Sequence, residues 1–373
     1  MNVKELPRLF VRLVSIPSPS GEEKAVAEFI ENFIGKLGWR VWRDAAGKRN
    51  NSTTGNLYAY LDSGCRQSIL FVAHMDTVQQ PEERVSVRFD GEVFRSNGKT
   101  ILGADDKAGI AAMLFSAAIF QKKNLHYNLL FIFTTREEQG VMGSSLVEIP
   151  KSIRVKYVFN IDHTDVPGVF VTKSLGFQTF IIDVLGKAAH AAMNPEQGVN
   201  AIVVASEIIQ SLPIGRNVQS GSTMNIGIIH GGARTNVICD QVDLKGELRG
   251  FSVSTMHNLR LKIVSVCKQL EKEHRAKVRV VFDRADTVPP LEEIQGQLIR
   301  TACLSACRSI GIKAHFVSTF STSDANQFSS RGYQVISVAR GGADVHSTKE
   351  SIHLHHVLQT AELIRQLVSS GDT

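Results

Sequence analysis

No stretch of the 373-residue sequence approaches the ~20 consecutive apolar residues of a membrane span, which excludes an integral membrane helix. The opening segment MNVKELPRLFVRL lacks the apolar core of a secretory signal, so secretion is not expected. Cysteine is scarce: Cys65, Cys239, Cys267, Cys303 and Cys307 form an odd set without CxxC spacing, which argues against a thiolate metal site or a disulfide framework. They are expected to be reduced, with Cys303 and Cys307 one helical turn apart in an apolar stretch and packed in a core. That usage points to the cytoplasm. The net charge is +6 and the isoelectric point near 9.0, yet Lys and Arg are scattered and form no basic block with interleaved aromatics. Nucleic acid is therefore not an expected partner. No internal repeat or low-complexity tract is visible.

What remains is an ordinary globular composition, 43% hydrophobic and 21% charged, in a chain long enough for roughly two domains. Two amphipathic helices occupy the first forty residues, the second starting after Ser20 with Glu22 and Glu23 near its N-terminus. Continuous apolar runs follow, SILFVAH, NLLFIFTT and KYVFNID, with the helical segment DKAGIAAMLFSAAIFQKK between the first two. Unbroken hydrophobicity marks strands buried on both faces, which predicts an α/β unit with a mostly parallel sheet. After Ser174 the pattern becomes β-α-β-β-α-β, the split βαβ (ferredoxin-like) arrangement of a small α+β domain. The first pattern then returns with LIRTACLSACRSIGI and QVISVAR. The simplest organisation is a catalytic domain over 1–175 and 286–373, interrupted by an inserted domain over 176–285.

Acids and histidines gather where those runs end. His74 and Asp76 close SILFVAH, and Asp105 and Asp106 lie in GADDKAG at a helix entry. Glu137 and Glu138 follow NLLFIFTT, Asp162 ends KYVFNID, and His346 comes shortly after QVISVAR. Taken singly these are weak signals, since helix capping accounts for acids such as Asp105 and an exposed turn for adjacent glutamates. Taken together they place carboxylates and imidazoles after successive strands of one sheet, at the edge where open α/β sheets bind ligands. Such a donor set without thiolates suits Zn²⁺, Mn²⁺ or Co²⁺, and a carboxylate shared by two ions about 3.5 Å apart is a recurring hydrolytic design. A further carboxylate could then serve as general base.

At these residues the chain resembles the M20 family of metallopeptidases, and within it the tripeptidase branch, peptidase T. The matching segments run in family order from about residue 15 to 355: FVAHMDTV, ILGADDKAGIAA, FTTREEQGVMGS, FNIDH, GKAAHA with NPEQGVNAI, GGARTNV, STSDANQF and HSTKESI. The resemblance implies a di-zinc catalytic domain with an inserted lid that dimerises. It implies that Asp105 bridges two ions, one held also by His74 and Asp162, the other by Glu138 and His346. Glu137 would be the general base toward a bridging water, Asp76 would hold His74, and His190 would reach an active site to stabilise the oxyanion. Asn236 and Arg249 match lid positions that contact substrate, where an arginine could take a carboxylate bidentately. Asp162, rather than Glu, accompanies aminopeptidase-like members. The implied activity is removal of N-terminal residues from tri- or dipeptides, with cleavage of N-acyl amino acids or another small amide as the alternative. A non-catalytic role is disfavoured because no ligand and no base is missing. Ser321 and Thr322 stand where many relatives carry glycine, His163 stands where glycine is frequent, and the chain is shorter than full tripeptidases. Substrate length is therefore left open.

Overall fold

The computed structural model describes residues 2–120, 125–293 and 297–369. The strands among them are, in chain order, β1 Arg40–Arg43, β2 Leu57–Leu61, β3 Ser68–His74, β4 Val87–Phe89, β5 Val93–Ser96, β6 Asn128–Thr134, β7 Val155–His163, β8 Val169–Ser174, β9 Gly176–Leu185, β10 Gly215–Asn217, β11 Ser222–Gly231, β12 Gln241–Gly250, β13 Lys277–Val288, β14 His315–Thr319, β15 Val335–Ala339 and β16 Ser351–His353. The chain divides into two compact units, one of Met1–Lys173, Glu293–Thr319 and Ser323–Thr373, the other of Ser174–Glu292 with Phe320–Thr322. The second unit is thus wider than 176–285 and includes the Ser321-Thr322 segment. Among the described residues no helix is long and apolar enough to cross a membrane.

The first unit is built on an eight-stranded sheet in the order β1-β2-β6-β3-β7-β15-β8-β14. Its centre is parallel, with β3 paired to both β6 and β7, and β7 to β15. The β1–β2, β2–β6 and β15–β8 pairs are antiparallel. Every residue of β3, β6 and β15 is buried, which is why these segments read as unbroken apolar runs. Register is fixed from inside. Phe71 of β3 lies opposite Phe131 of β6 and Phe159 of β7, with ring centroids 5.7 and 5.5 Å apart. Each such ring pair adds about 1 kcal/mol beyond its buried area, and a one-residue slip would turn whole side-chain rows to the wrong face. The consequence for function is that β3 and β6 end flush, His74 opposite Thr134.

The helix Ala104–Ile119 packs on this sheet so closely that a Cβ on Gly109 would lie 2.4 Å from the Ile161 carbonyl oxygen. Only glycine permits that approach, and it carries the Asp105-Asp106 loop onto the end of β7. Cys303 and Cys307 are buried in the same core, and all five cysteines are free.

The second unit is a five-stranded antiparallel sheet, β10-β11-β12-β9-β13. In β9 buried and half-buried positions alternate, so Phe180, Ile182 and Val184 face one way. There they join Ala201, Val204 and Ile208 of the helix Ala201–Ser211 and Ile263, Val266 and Leu270 of the helix Val253–His274 in a separate core. The sequence pattern supplies every strand and α-helix of this unit except β10, a three-residue exposed strand too short for its periodicity to show.

Candidate metal centre

The carboxyl ends of β3, β6, β7 and β15 point the same way because these strands are parallel, and the sequence places a polar group after each. His74 is 2% exposed. Its Nδ1 donates to the main-chain oxygen of Asp76 at 2.9 Å and lies 3.4 Å from Asp76 Oδ1. Nε2 is thereby aimed away from the strand, 3.2 Å from Asp105 Oδ1 and 3.6 Å from Asp162 Oδ1. On the other side of Asp105, Oδ2 lies 3.4 Å from His346 Nε2, and that same nitrogen is 2.9 Å from Glu138 Oε1. One carboxylate therefore presents its two oxygens to two separate imidazoles.

Asp76 does more than hold a ring. Its Oδ1 accepts from the Glu137 N–H at 2.9 Å, and Oδ2 accepts from the Glu138 N–H at 3.2 Å and from Ser20 Oγ at 2.6 Å. The Glu137-Glu138 turn is thus fastened to the end of β3 by main-chain bonds, leaving both glutamate side chains for other tasks. His346 adopts a left-handed backbone with φ 62°, a conformation sparsely populated outside glycine that persists where surrounding structure imposes it.

Several further buried charges here were not assigned to the site from the sequence. Glu350 Oε2 accepts from the N–H groups of Leu102 and Gly103 at 2.8 and 2.7 Å, and its Oε1 from that of Asp105 at 3.1 Å, so it anchors the loop presenting Asp105. Asp324 Oδ2 accepts from Thr134 Oγ1 at 2.5 Å. Glu23, expected only as an acid near a helix N-terminus, accepts from the Gly21 N–H at 2.7 Å and the Arg136 N–H at 3.0 Å. Arg340, the residue after β15, is fully buried against Asp105 and Asp106.

The electrostatics are those of an acidic centre compensated by few cations. Burial alone would lower the His74 pKa, but the bonds to Asp105, Asp162 and Asp76 hold it well above the usual imidazole value. His346 is raised to about 10, first by its bonds to Asp105 and Glu138. Asp105 is held well below the usual range, because Arg340, His346 and His74 overcome the upward push of its burial. Burial, then the nearby Asp162 charge, lift Glu137 well above it, and Asp324 and Glu138 add to this while His74 opposes it. Burial likewise raises Asp106, whose Oδ2 is buried with no hydrogen-bond partner among the described residues.

These observations fit divalent cations. Donor atoms of His74, Asp106 and Asp162, and again of His74, Asp105 and Glu138, lie within 4.8 Å of one another. They are all oxygen or imidazole nitrogen, the set that takes Zn²⁺, Mn²⁺ or Co²⁺. Asp106, given no role from the sequence, stands among them.

The other expected residues belong to the second unit. His190 is exposed and its Nδ1 accepts from the N–H groups of Ala192 and Met193, each at 3.2 Å. The ring proton must then sit on Nε2, which makes that atom a donor. Asn236 is beside it, since its main-chain oxygen accepts from the Ala191 N–H at 3.1 Å. Arg249 is differently engaged: Nε and Nη2 bond Glu247 at 2.7 and 3.1 Å, and the guanidinium lies 5.5 Å from the Phe177 ring centroid. Its fork is taken by a neighbour in the same strand.

Comparison with known proteins relates the sequence and fold to peptidases. Residues 172–275 match the Peptidase dimerisation domain and residues 56–201 match Peptidase family M28. The fold is similar to that of an aminopeptidase, PepT, from Bacillus cereus ATCC 10987, with a TM-score of 0.91 and 29% identity over 99% of this chain and 98% of that one. It is also similar to that of a tripeptidase from Staphylococcus aureus subsp. aureus Mu50, with a TM-score of 0.89 and 26% identity over 99% and 98% of the two chains. In sequence it is 28% identical to the uncharacterised protein YqjE of Bacillus subtilis over 100% of this chain and 99% of that one.

Proposed function

The chain is a metallopeptidase of the M20 family, of peptidase T type, and from that premise we propose that it is a di-metal aminopeptidase releasing N-terminal residues from tri- or dipeptides. The observation that carries this reading is the divided carboxylate of Asp105, Oδ1 at 3.2 Å from His74 Nε2 and Oδ2 at 3.4 Å from His346 Nε2. In the proposal His74, Asp105 and Asp162 would hold one ion, and Asp105, Glu138 and His346 the other. Bound divalent ions would polarise the scissile carbonyl and make water more acidic.

The protein's own groups do the rest. Glu137, its backbone fixed by Asp76, takes the proton of the attacking water and delivers it to the leaving amine, so it acts first as base and then as acid. Asp76 and Glu350 hold the segments that present these groups. His190, with its proton on Nε2, donates to the oxyanion that develops at the scissile carbonyl, a contribution of about 3 kcal/mol for a donor of this kind. The inserted unit would supply His190 and the dimer contact. Incubation with unblocked and N-acetylated tri- and dipeptides tests the reading. Free N-terminal residues are expected from the unblocked series alone, and release of acetate or of C-terminal residues only would overturn it.

Metal binding is expected to release protons. In the metal-free protein His346, with its pKa raised to about 10, carries a ring proton at pH 6 to 8, and the bonds of His74 to Asp105, Asp162 and Asp76 likewise favour a proton on its ring. An entering ion must displace it, so affinity rises as pH rises, by about tenfold per pH unit for each proton released. Calorimetric titration with zinc in buffers of different ionisation enthalpy should show at least one proton released per ion. No buffer dependence would remove the imidazoles from the ligand sets.

A further inference from the structure

We propose that Arg340 is an internal counter-ion of the carboxylate centre, a positioning residue whose charge holds Asp105 and Asp106 in place while the centre is free of metal. The inference rests on the metallopeptidase reading above and adds to it a residue outside the ligand sets. The Arg340 side chain is 0% exposed. Its Nη2 donates to Asp105 Oδ1, Nε lies 2.7 Å from Asp106 Oδ1, and Nη2 is 4.0 Å from Asp162 Oδ1. Nη1 donates to the Gly341 carbonyl at 2.8 Å. Gly341 itself has φ 88°, and a Cβ there would lie 2.6 Å from His356 Cβ, so the turn that sets the guanidinium accepts no side chain.

A buried guanidinium is costly unless acids surround it, and buried acids are costly unless a cation does. Arginine is the one side chain whose charge persists at every accessible pH, and its planar fork reaches two carboxylates at once. Asp105 Oδ1 is the atom that matters, because it faces both Arg340 Nη2 and His74 Nε2. An ion seated among His74, Asp105 and Asp162 would share that oxygen with the guanidinium. Ion and arginine are then partly interchangeable as compensating charge, and the protein leans on Arg340 most when no ion is present.

Linkage gives this a signature that plain packing does not share. Thermal unfolding of Arg340→Met, measured after chelation and again with saturating zinc, is expected to show the metal-free melting temperature lowered by roughly 6 to 10 °C and the zinc-loaded one by less than half of that. The zinc-induced rise is therefore larger than in the wild type. Equal losses in the two forms, or no loss in the metal-free form, would overturn the proposal. Arg340→Lys keeps the charge without the fork, and its zinc-induced rise is expected to stay near the wild-type value; a lysine variant as weakened as the methionine one would overturn the role of charge. That second variant decides the matter if Arg340→Met folds in neither form. Should the wild type show no zinc-induced rise at all, it is the metal centre that fails, an outcome distinct from equal losses in both forms.

Discussion

Glu137→Gln is expected to lower kcat for tripeptide hydrolysis by about a thousandfold, within the range for a positioned general base, while two ions per chain remain bound. The substitution keeps shape and polarity and removes only the capacity to accept a proton. Its main chain is fixed by Asp76, whose Oδ1 accepts the Glu137 N–H at 2.9 Å, so the amide should occupy the place of the carboxylate. Glu137 is outside the proposed ligand sets, and metal content should stay at the wild-type level. In the metal-free protein burial and the charges of Asp162, Asp324 and Glu138 raise its pKa. The charge of bound ions opposes those carboxylates and favours the ionised, proton-accepting form. Rate is accordingly expected to fall as pH drops through this group, and that acid limb should be missing from the residual activity of the variant. Steady-state kinetics with metal analysis on the same preparation would check this; more than a tenth of wild-type kcat would take Glu137 out of the base role.

The parts of this molecule that sequence discloses are those written in local pattern. β3, β6 and β15 are buried throughout, and a strand buried on both faces must be apolar along its whole length. The flush ends of such strands then turn His74, Glu137, Glu138 and Asp162 into neighbours. The inserted unit was equally legible, because one open face imposes alternation on β9 and helical spacing on Ala201–Ser211. Glu350, Asp324 and Arg340 were not, for a physical reason. Each is a charged residue near the end of an element, a place where solvated charges are common, and what sets it apart is burial against partners far away in sequence. Arg340 pairs with Asp105 across 235 positions and Glu350 with Leu102 across 248. A signal was nevertheless present, since an arginine directly continuing the apolar run VISVA lies at the mouth of the sheet, where no solvated face is expected. Arg249 is the converse case. A strand arginine two positions from a glutamate on the same face is first of all within reach of that glutamate, and family position alone does not reveal this.

Asp105→Asn should abolish binding of both ions, lowering affinity at each site by more than about a hundredfold, the upper end of what losing an outer-shell partner alone costs. The reason is the division of one carboxylate between two sets. Oδ1 faces His74 and Oδ2 faces His346, so neutralising the group weakens both sites, and one of the two atoms becomes an amide nitrogen that cannot ligate. The contrast is with His346→Ala, which removes a ligand from one set only and should leave close to one ion per chain, bound among His74, Asp105 and Asp162. Activity is expected to be lost in both variants, so activity cannot distinguish them and stoichiometry can. Metal analysis after dialysis against low micromolar zinc would show about zero ions for Asp105→Asn, one for His346→Ala and two for the wild type. If Asp105→Asn kept one tightly bound ion, the carboxylate would serve a single site, and Asp106, which groups with His74 and Asp162 and whose Oδ2 is buried without a hydrogen-bond partner among the described residues, would become the stronger candidate for holding the other.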